Sequence, residues 1–291
     1  MTGKTCVITG ANSGIGFATA KGLAEKGAHV LLLCRNEEKG RRALKEIRAT
    51  TGNDRLELYV VDLASQKQIR AVGRAIRAAH PVVDVLVNNA GTWISERTFT
   101  EKGIEKVFAV NHLAYVLLTH MLYPSLRQAP DARIVNVASD NHYDAEMQFE
   151  DLYLSKNYHG LRSYAQSKLG NVMFTMELDR RKPDENVSVN AVQPGLVYTD
   201  IGLKDTNWLH ALAWKVRRSF WKSKSPEEGA ATSVFLAASP EARGESGKYW
   251  DNCRPKPPAE SARDPEQTAR LWEISLELCE IDNFFDGRVS D

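Results

Sequence analysis

Tyr164 and Lys168 stand four residues apart in "SYAQSKLGN", a spacing that puts a phenol and an ammonium one turn from each other on one face of a predicted helix. A phenol with an ordinary pKa of about 10 is a poor acid-base group near neutrality, but a neighbouring ammonium favours the phenolate and lowers that value. The pair alone is equally consistent with a solvated helix face. Two further polar groups give it company: Ser139 ends the apolar run "ARIVNVAS", and Asn111 lies within "FAVNHLAYV", between apolar neighbours.

A second constellation opens the chain. In "TGANSGIG", residues 9–16, Gly10, Gly14 and Gly16 surround Asn12, Ser13 and Ile15. Glycine lacks a Cβ, so such a turn reaches unusual backbone angles and lets another group approach the main chain. The run follows a predicted strand and opens a predicted helix, where backbone N–H groups and the helix dipole favour a pyrophosphate. The competing reading is a glycine-rich turn needed only for tight strand-to-helix packing.

The elements that must position these groups are legible as an alternation. Short runs rich in Val, Ile and Leu ("TCVITG", "HVLLLCR", "LELYVVDL", "VDVLVNNAG", "ARIVNVAS", "VSVNAVQPG", "GKYWDN") alternate with helix-period segments. Continuously apolar strands alternating with helices specify a parallel sheet covered on both faces. The expected fold is therefore α/β, a single doubly wound Rossmann-type domain with about seven parallel strands. "GIEKVFAVNHLAYVLLTHMLYPSL" reads as one long helix, Ser225 caps a helix with Pro226 in its first turn, and a last helix is expected near residues 265–280. The Pro-rich "CRPKPPAESARDP" reads as a connection before that helix.

Composition narrows the function. A chain of 291 residues with 38 basic and 37 acidic side chains has no global field to attract nucleic acid. The four cysteines, Cys6, Cys34, Cys253 and Cys279, show neither disulfide nor metal-ligand spacing, so no metal is expected and a reducing compartment fits. No stretch reaches the roughly 18 apolar residues of a spanning helix, and a cytoplasmic localisation is expected.

In this order, the motifs resemble those of the short-chain dehydrogenase/reductase family: the glycine run, "VDL" with Asp62 and Leu63, "NNAG" with Asn89, Ala90 and Gly91, then Asn111, Ser139, Tyr164 with Lys168, and "PGLVYT". The resemblance implies that Tyr164 is the general acid/base and that Ser139 hydrogen-bonds the reacting oxygen. It implies too that Lys168 holds the cofactor ribose while lowering the tyrosine pKa, and that Asn111 anchors a water of the proton relay. Asp62 would contact the adenine, while Pro194, Gly195, Val197 and Thr199 would line the nicotinamide end. Within the family the chain is most similar to the retinol dehydrogenase branch, through "LLLCRN" with Asn36, the 25-residue step from Ser139 to Tyr164, "SKLGNVMFTMEL" and the tail "GKYWDNC…ARLWEISLEL". Many members of that branch begin with a hydrophobic anchor, whereas this chain starts directly at its first strand.

Arg35 ends the second predicted strand, where an NAD site usually carries an acid for the ribose 2′-OH. Arginine can instead pair with a 2′-phosphate, so the expected cofactor is NADP(H). Lys39, Arg41 and Arg42 read as a solvated helix face, and His112 and His142 as packed or solvated rings outside the catalytic set. Ile201, Leu203, Trp208, Leu209 and Leu212 fall in an expected substrate lid near 200–224, pointing to a large apolar aldehyde, ketone or alcohol such as a retinoid, with a xenobiotic carbonyl or steroid as alternatives. "WLHALAWKVRRSFWKSK" combines apolar, aromatic and basic residues at helical spacing, which describes an interfacial helix for peripheral membrane contact or, equally, a lid with a solvated basic face. A homodimer is left open, and a cofactor-bound scaffold without turnover is the alternative of another class.

Overall fold

A computed structural model of the chain describes residues 1–195 and 224–288. The first half alternates strictly: β1 (Thr5–Thr9), α1 (Gly14–Glu25), β2 (His29–Cys34), α2 (Glu37–Thr51), β3 (Leu56–Val60), α3 (Gln66–Ala79) and β4 (Val85–Asn88). A short helix α4 (Lys106–Phe108) and a π-helical turn (Ala109–Leu113) lead into α5 (Ala114–Leu126), followed by β5 (Ala132–Val137), α6 (Gly160–Arg181) and β6 (Val187–Gln193). Then come α7 (Pro226–Ala238), β7 (Lys248–Asp251), β8 (Arg254–Lys256) and α8 (Pro265–Leu278).

The strands form one sheet in the order β3-β2-β1-β4-β5-β6-β7-β8. Alternate strand residues feed two cores, as the period of two requires. Val7, Leu31 and Leu33 pack with Ile69, Ile76, Leu117 and Leu169 of α3, α5 and α6 on one face. Cys6, Ile8, Val30 and Leu32 pack with Leu23, Ile47 and Leu236 of α1, α2 and α7 on the other. The expected cap is present: Ser225 and Glu228 form a reciprocal capping box at the start of α7, with Pro226 in its first turn.

Two elements depart from the sequence reading. The sheet has eight strands rather than seven, because Arg254–Lys256 folds back antiparallel on β7 with Asp251 opposite Arg254. The two-residue turn holds Asn252 and Cys253 at φ 49° and 58°, the left-handed pair that a tight hairpin needs, here without the usual glycine. Pro255 is tolerated because β8 is the outer edge of the sheet. The long helix expected from "GIEKVFAVNHLAYV…" is also not continuous. A π-helical turn interrupts it at Ala109–Leu113, a form often found at functional sites, and Asn111 sits inside that turn.

Candidate active site

The strand order reverses between β1 and β4, and in open α/β sheets ligands bind beyond the carboxyl ends of the strands at such a point. The loops leaving these two strands are clasped together. Thr9 Oγ1 accepts from the backbone N–H groups of Asn89 and Ala90 at 2.8 and 2.9 Å, and Asn89 Nδ2 donates to Thr9 O at 2.8 Å. Gly10 has φ +67°, and a Cβ on Gly16 would stand 2.4 Å from both Gly10 O and Asn89 Nδ2. The side chain missing at Gly16 is therefore required by packing within the loop pair. The start of α1 stays available: Ser13 makes no side-chain cap and no acid lies in the first turn, so its N–H groups point outward beside Asn12, Gly14 and Ile15, an arrangement that fits a pyrophosphate.

Arg35, after β2, is exposed and makes no ion pair among the described residues, whereas Arg41 and Arg42 pair with Glu37 and Glu38 on the solvated face of α2. Asn36 caps α2 through a 2.8 Å bond from Lys39 N. Asp62 Oδ1 accepts from Ala64 N at 3.0 Å, shaping the turn beside buried Leu63. Pro194 is buried and Gly195, at φ +84°, donates its N–H to Gln193 Oε1 at 2.9 Å. Val197, Thr199, the expected lid and the basic-aromatic segment 208–224, apart from Lys224, lie outside the described residues.

The four polar residues expected to carry chemistry come together. Tyr164 and Lys168 project from α6. Ser139 stands near enough to the Tyr164 side chain to lower its pKa, and Lys168 Nζ lies 5.7 Å from the centroid of the Tyr164 ring and 5.6 Å from that of Tyr115. A methyl on Gly91 would sit 3.6 Å from Lys168 Nζ and 3.5 Å from Asn111 Oδ1, so the β4 turn, the π-helical turn and α6 meet at one point.

One expectation differs in this geometry. Burial pushes the Tyr164 phenol up to about 12, opposed by the Ser139 hydrogen bond, rather than down under the influence of Lys168. Tyr164 is half-buried and Lys168 is 2% exposed; burial pulls the amine down to about 7, and its Nζ donates to Val137 O at 2.8 Å. The Asn111 side chain is already engaged. Its Nδ2 donates to Thr92 O and Ser167 Oγ at 3.0 and 2.9 Å, and its Oδ1 accepts from Thr92 N at 2.7 Å, so the amide clamps the β4 loop.

Sequence reasoning missed the support beneath Ser139. Asp140 accepts from Tyr249 Oη at 2.8 Å, Gln193 Nε2 at 2.8 Å and Lys256 Nζ at 2.8 and 2.9 Å, which ties the ends of β5, β6, β7 and β8 together. His142 is fully buried beside it, with Nδ1 2.7 Å from Ser139 O and Nε2 3.1 Å from Ala259 N. A carbonyl can only accept and an N–H can only donate, so the ring is neutral with its proton on Nδ1. Burial lowers its pKa in the same sense. His112, by contrast, is a core ring between Phe108 and Phe174, pushed by burial down to about 4.

A phenol, a serine hydroxyl and a buried amine beside a dinucleotide-type crevice define a Rossmann-fold oxidoreductase site. Comparison with known proteins gives the family. Residues 4–209 match the short chain dehydrogenase model. Retinol dehydrogenase 12 of Mus musculus is 39% identical over 279 residues, covering 96% of this chain and 87% of that protein. Among solved structures, an uncharacterized protein from Mycobacterium Paratuberculosis superposes with TM-score 0.78 at 28% identity, covering 97% and 95% of the two chains. The L-sorbose reductase of Gluconobacter frateurii, complexed with NADPH and L-sorbose, does so with TM-score 0.68 at 27% identity, covering 86% and 95%. The chain belongs to the short-chain dehydrogenase/reductase family and is an oxidoreductase acting on CH–OH donors. Among the described residues, no helix is long and apolar enough to cross a membrane.

Proposed function

We propose that the protein uses NADP(H) to interconvert an apolar aldehyde or ketone with its alcohol, a retinoid being the first candidate. The carrying observation is the phenol of Tyr164 with the Ser139 hydroxyl against it and the Lys168 amine beneath its ring. A bound nicotinamide dinucleotide supplies hydride transfer. The protein's part is to bind, orient and move a proton.

Tyr164 carries its proton at neutral pH, available for delivery from Oη to a developing alkoxide in carbonyl reduction or for the reverse transfer in alcohol oxidation. Ser139 holds the same substrate oxygen, and Lys168 stands within reach of the ribose side of the crevice. Arg35 offers an unpaired guanidinium for a 2′-phosphate. The retinoid assignment is supported by the likeness to retinol dehydrogenase 12, and the reading of 208–224 as a membrane-docking surface or lid rests on residue types alone.

The test is Tyr164→Phe. Retinal, steroids, quinones and aliphatic aldehydes are offered with NADPH to the wild type and the variant, and NADPH binding is followed by fluorescence. Wild-type turnover of an apolar carbonyl, lost in the variant with cofactor affinity kept, is the expected result. Tight NADPH binding without turnover of any carbonyl refutes the enzyme reading in favour of a cofactor-bound scaffold.

A further inference from the structure

The opposite end of the sheet carries a second cluster. His29 opens β2, Glu57 lies in the edge strand β3 and His80 follows the last turn of α3. His29 Nε2 stands 2.9 Å from Glu57 Oε1, and His80 Nε2 stands 3.3 Å from Glu57 Oε2. One ligand atom from each of the three residues lies within 4.8 Å of the others. We propose that His29, Glu57 and His80 bind one divalent ion of the zinc type, fastening the edge strand β3 to β2 and α3.

The donor set and spacing support this. Two imidazoles and one carboxylate form an established three-protein-ligand set for zinc, and bonds of about 2.0–2.1 Å in a tetrahedron place ligands roughly 3.4 Å apart. The three atoms therefore need only small movements to enclose an ion. Their backbones are anchored: His29 N donates to Lys4 O at 2.8 Å, Glu57 pairs with Leu31 in the β2–β3 ladder, and His80 N donates to Ile76 O at 2.7 Å. The side chains are 25%, 41% and 12% exposed, enough for an ion to enter.

Tyr59 Oη donates to Glu57 Oε2 at 3.0 Å. It stays a hydrogen-bond donor that orients the carboxylate, and water completes the coordination.

The experiment titrates Zn²⁺ into the EDTA-treated full chain against a chromophoric chelator, while two-dimensional NMR follows the histidine ring nitrogens. One equivalent is expected to bind, moving the His29 and His80 Nε2 resonances. His29→Gln, Glu57→Gln and His80→Gln should each weaken binding by on the order of a hundredfold, with NADPH binding at the other end of the sheet retained as evidence of folding. No stoichiometric binding at micromolar zinc, or binding that leaves both ring resonances unmoved, overturns the proposal even if a variant fails to fold. Undiminished binding in the His29→Gln/His80→Gln protein overturns it as well.

Discussion

Lys168→Met should make the protein more stable at pH 7 while removing its activity. Burial draws the Lys168 amine from its ordinary 10.5 to about 7, a difference worth on the order of 4–5 kcal/mol between its charged and neutral forms. The folded pKa lies below the unfolded one, so the unfolded chain binds more protons between pH 7 and 10.5. Stability then rises with pH through that window. The cost of the buried ammonium is fully present below about pH 7 and absent above 10.5. Between pH 7 and pH 9 the wild type should gain about 2 kcal/mol from this group, a gain missing in the Met variant. Met removes the bond to Val137 O, but that carbonyl keeps Asn171 Nδ2 at 3.3 Å and Tyr115 Oη at 3.5 Å, so about 1 kcal/mol is the expected offset. Urea unfolding of both proteins at pH 7, 8 and 9 reads the difference directly. Parallel stability–pH curves, or a Met variant less stable than the wild type at pH 7, would refute the claim that the site keeps an unfavourably buried amine.

Arg35→Ala should lower kcat/KM with NADPH by roughly 10- to 100-fold and leave NADH little changed, because a charge-assisted hydrogen bond contributes about 1.5–3 kcal/mol; equal loss with both cofactors would place the 2′-phosphate elsewhere. His142→Phe keeps an aromatic ring but removes the donor to Ser139 O, so kcat should fall about tenfold with cofactor affinity intact, and unchanged kcat would show that Ser139 needs no such support. Because burial lowers the folded pKa of His142, the unfolded chain takes up the proton first as pH falls below 6.5. Wild-type stability should therefore decline there more steeply than that of the Phe variant, as acid unfolding curves would register. Gly16→Ala forces a methyl to within 2.4 Å of Gly10 O and Asn89 Nδ2 and should destabilise the fold by about 1–3 kcal/mol; a melting temperature within one degree of the wild type would contradict that packing account.

The alternation of strands and helices was legible because a sheet covered on both faces writes its burial into continuous apolar runs, and Tyr164 with Lys168 was legible because helical spacing alone brings them to one face. What escaped the sequence depends on distant partners. The excluded side chain at Gly16 has its reason in Asn89, and Asp140 gains its place from Gln193, Tyr249 and Lys256, between 53 and 116 residues away. The β7–β8 hairpin escaped because its turn is Asn252-Cys253, without the glycine that usually marks positive φ. The direction of the Tyr164 shift escaped for a different reason: spacing shows that an amine is near but not that Val137 O holds it, nor that the amine is buried.

These hidden partners explain how the site stays ordered despite its unfavourable groups. A buried amine, a buried amide and a neutral histidine all carry desolvation penalties, and each is held by backbone rather than by counter-charge: Lys168 by Val137 O, Asn111 by Thr92, His142 by Ser139 O and Ala259 N. Backbone partners orient a side chain without supplying a compensating full charge. That leaves the amine drawn toward its neutral form and the phenol in its protonated form. A charged knot, Asp140 with Lys256, lies beneath Ser139 at the junction of four strands, where it braces the hydroxyl's position while its charge is answered locally. A site so arranged has rigid geometry and a protonated phenol in place, which is what delivery of a proton to a carbonyl oxygen requires.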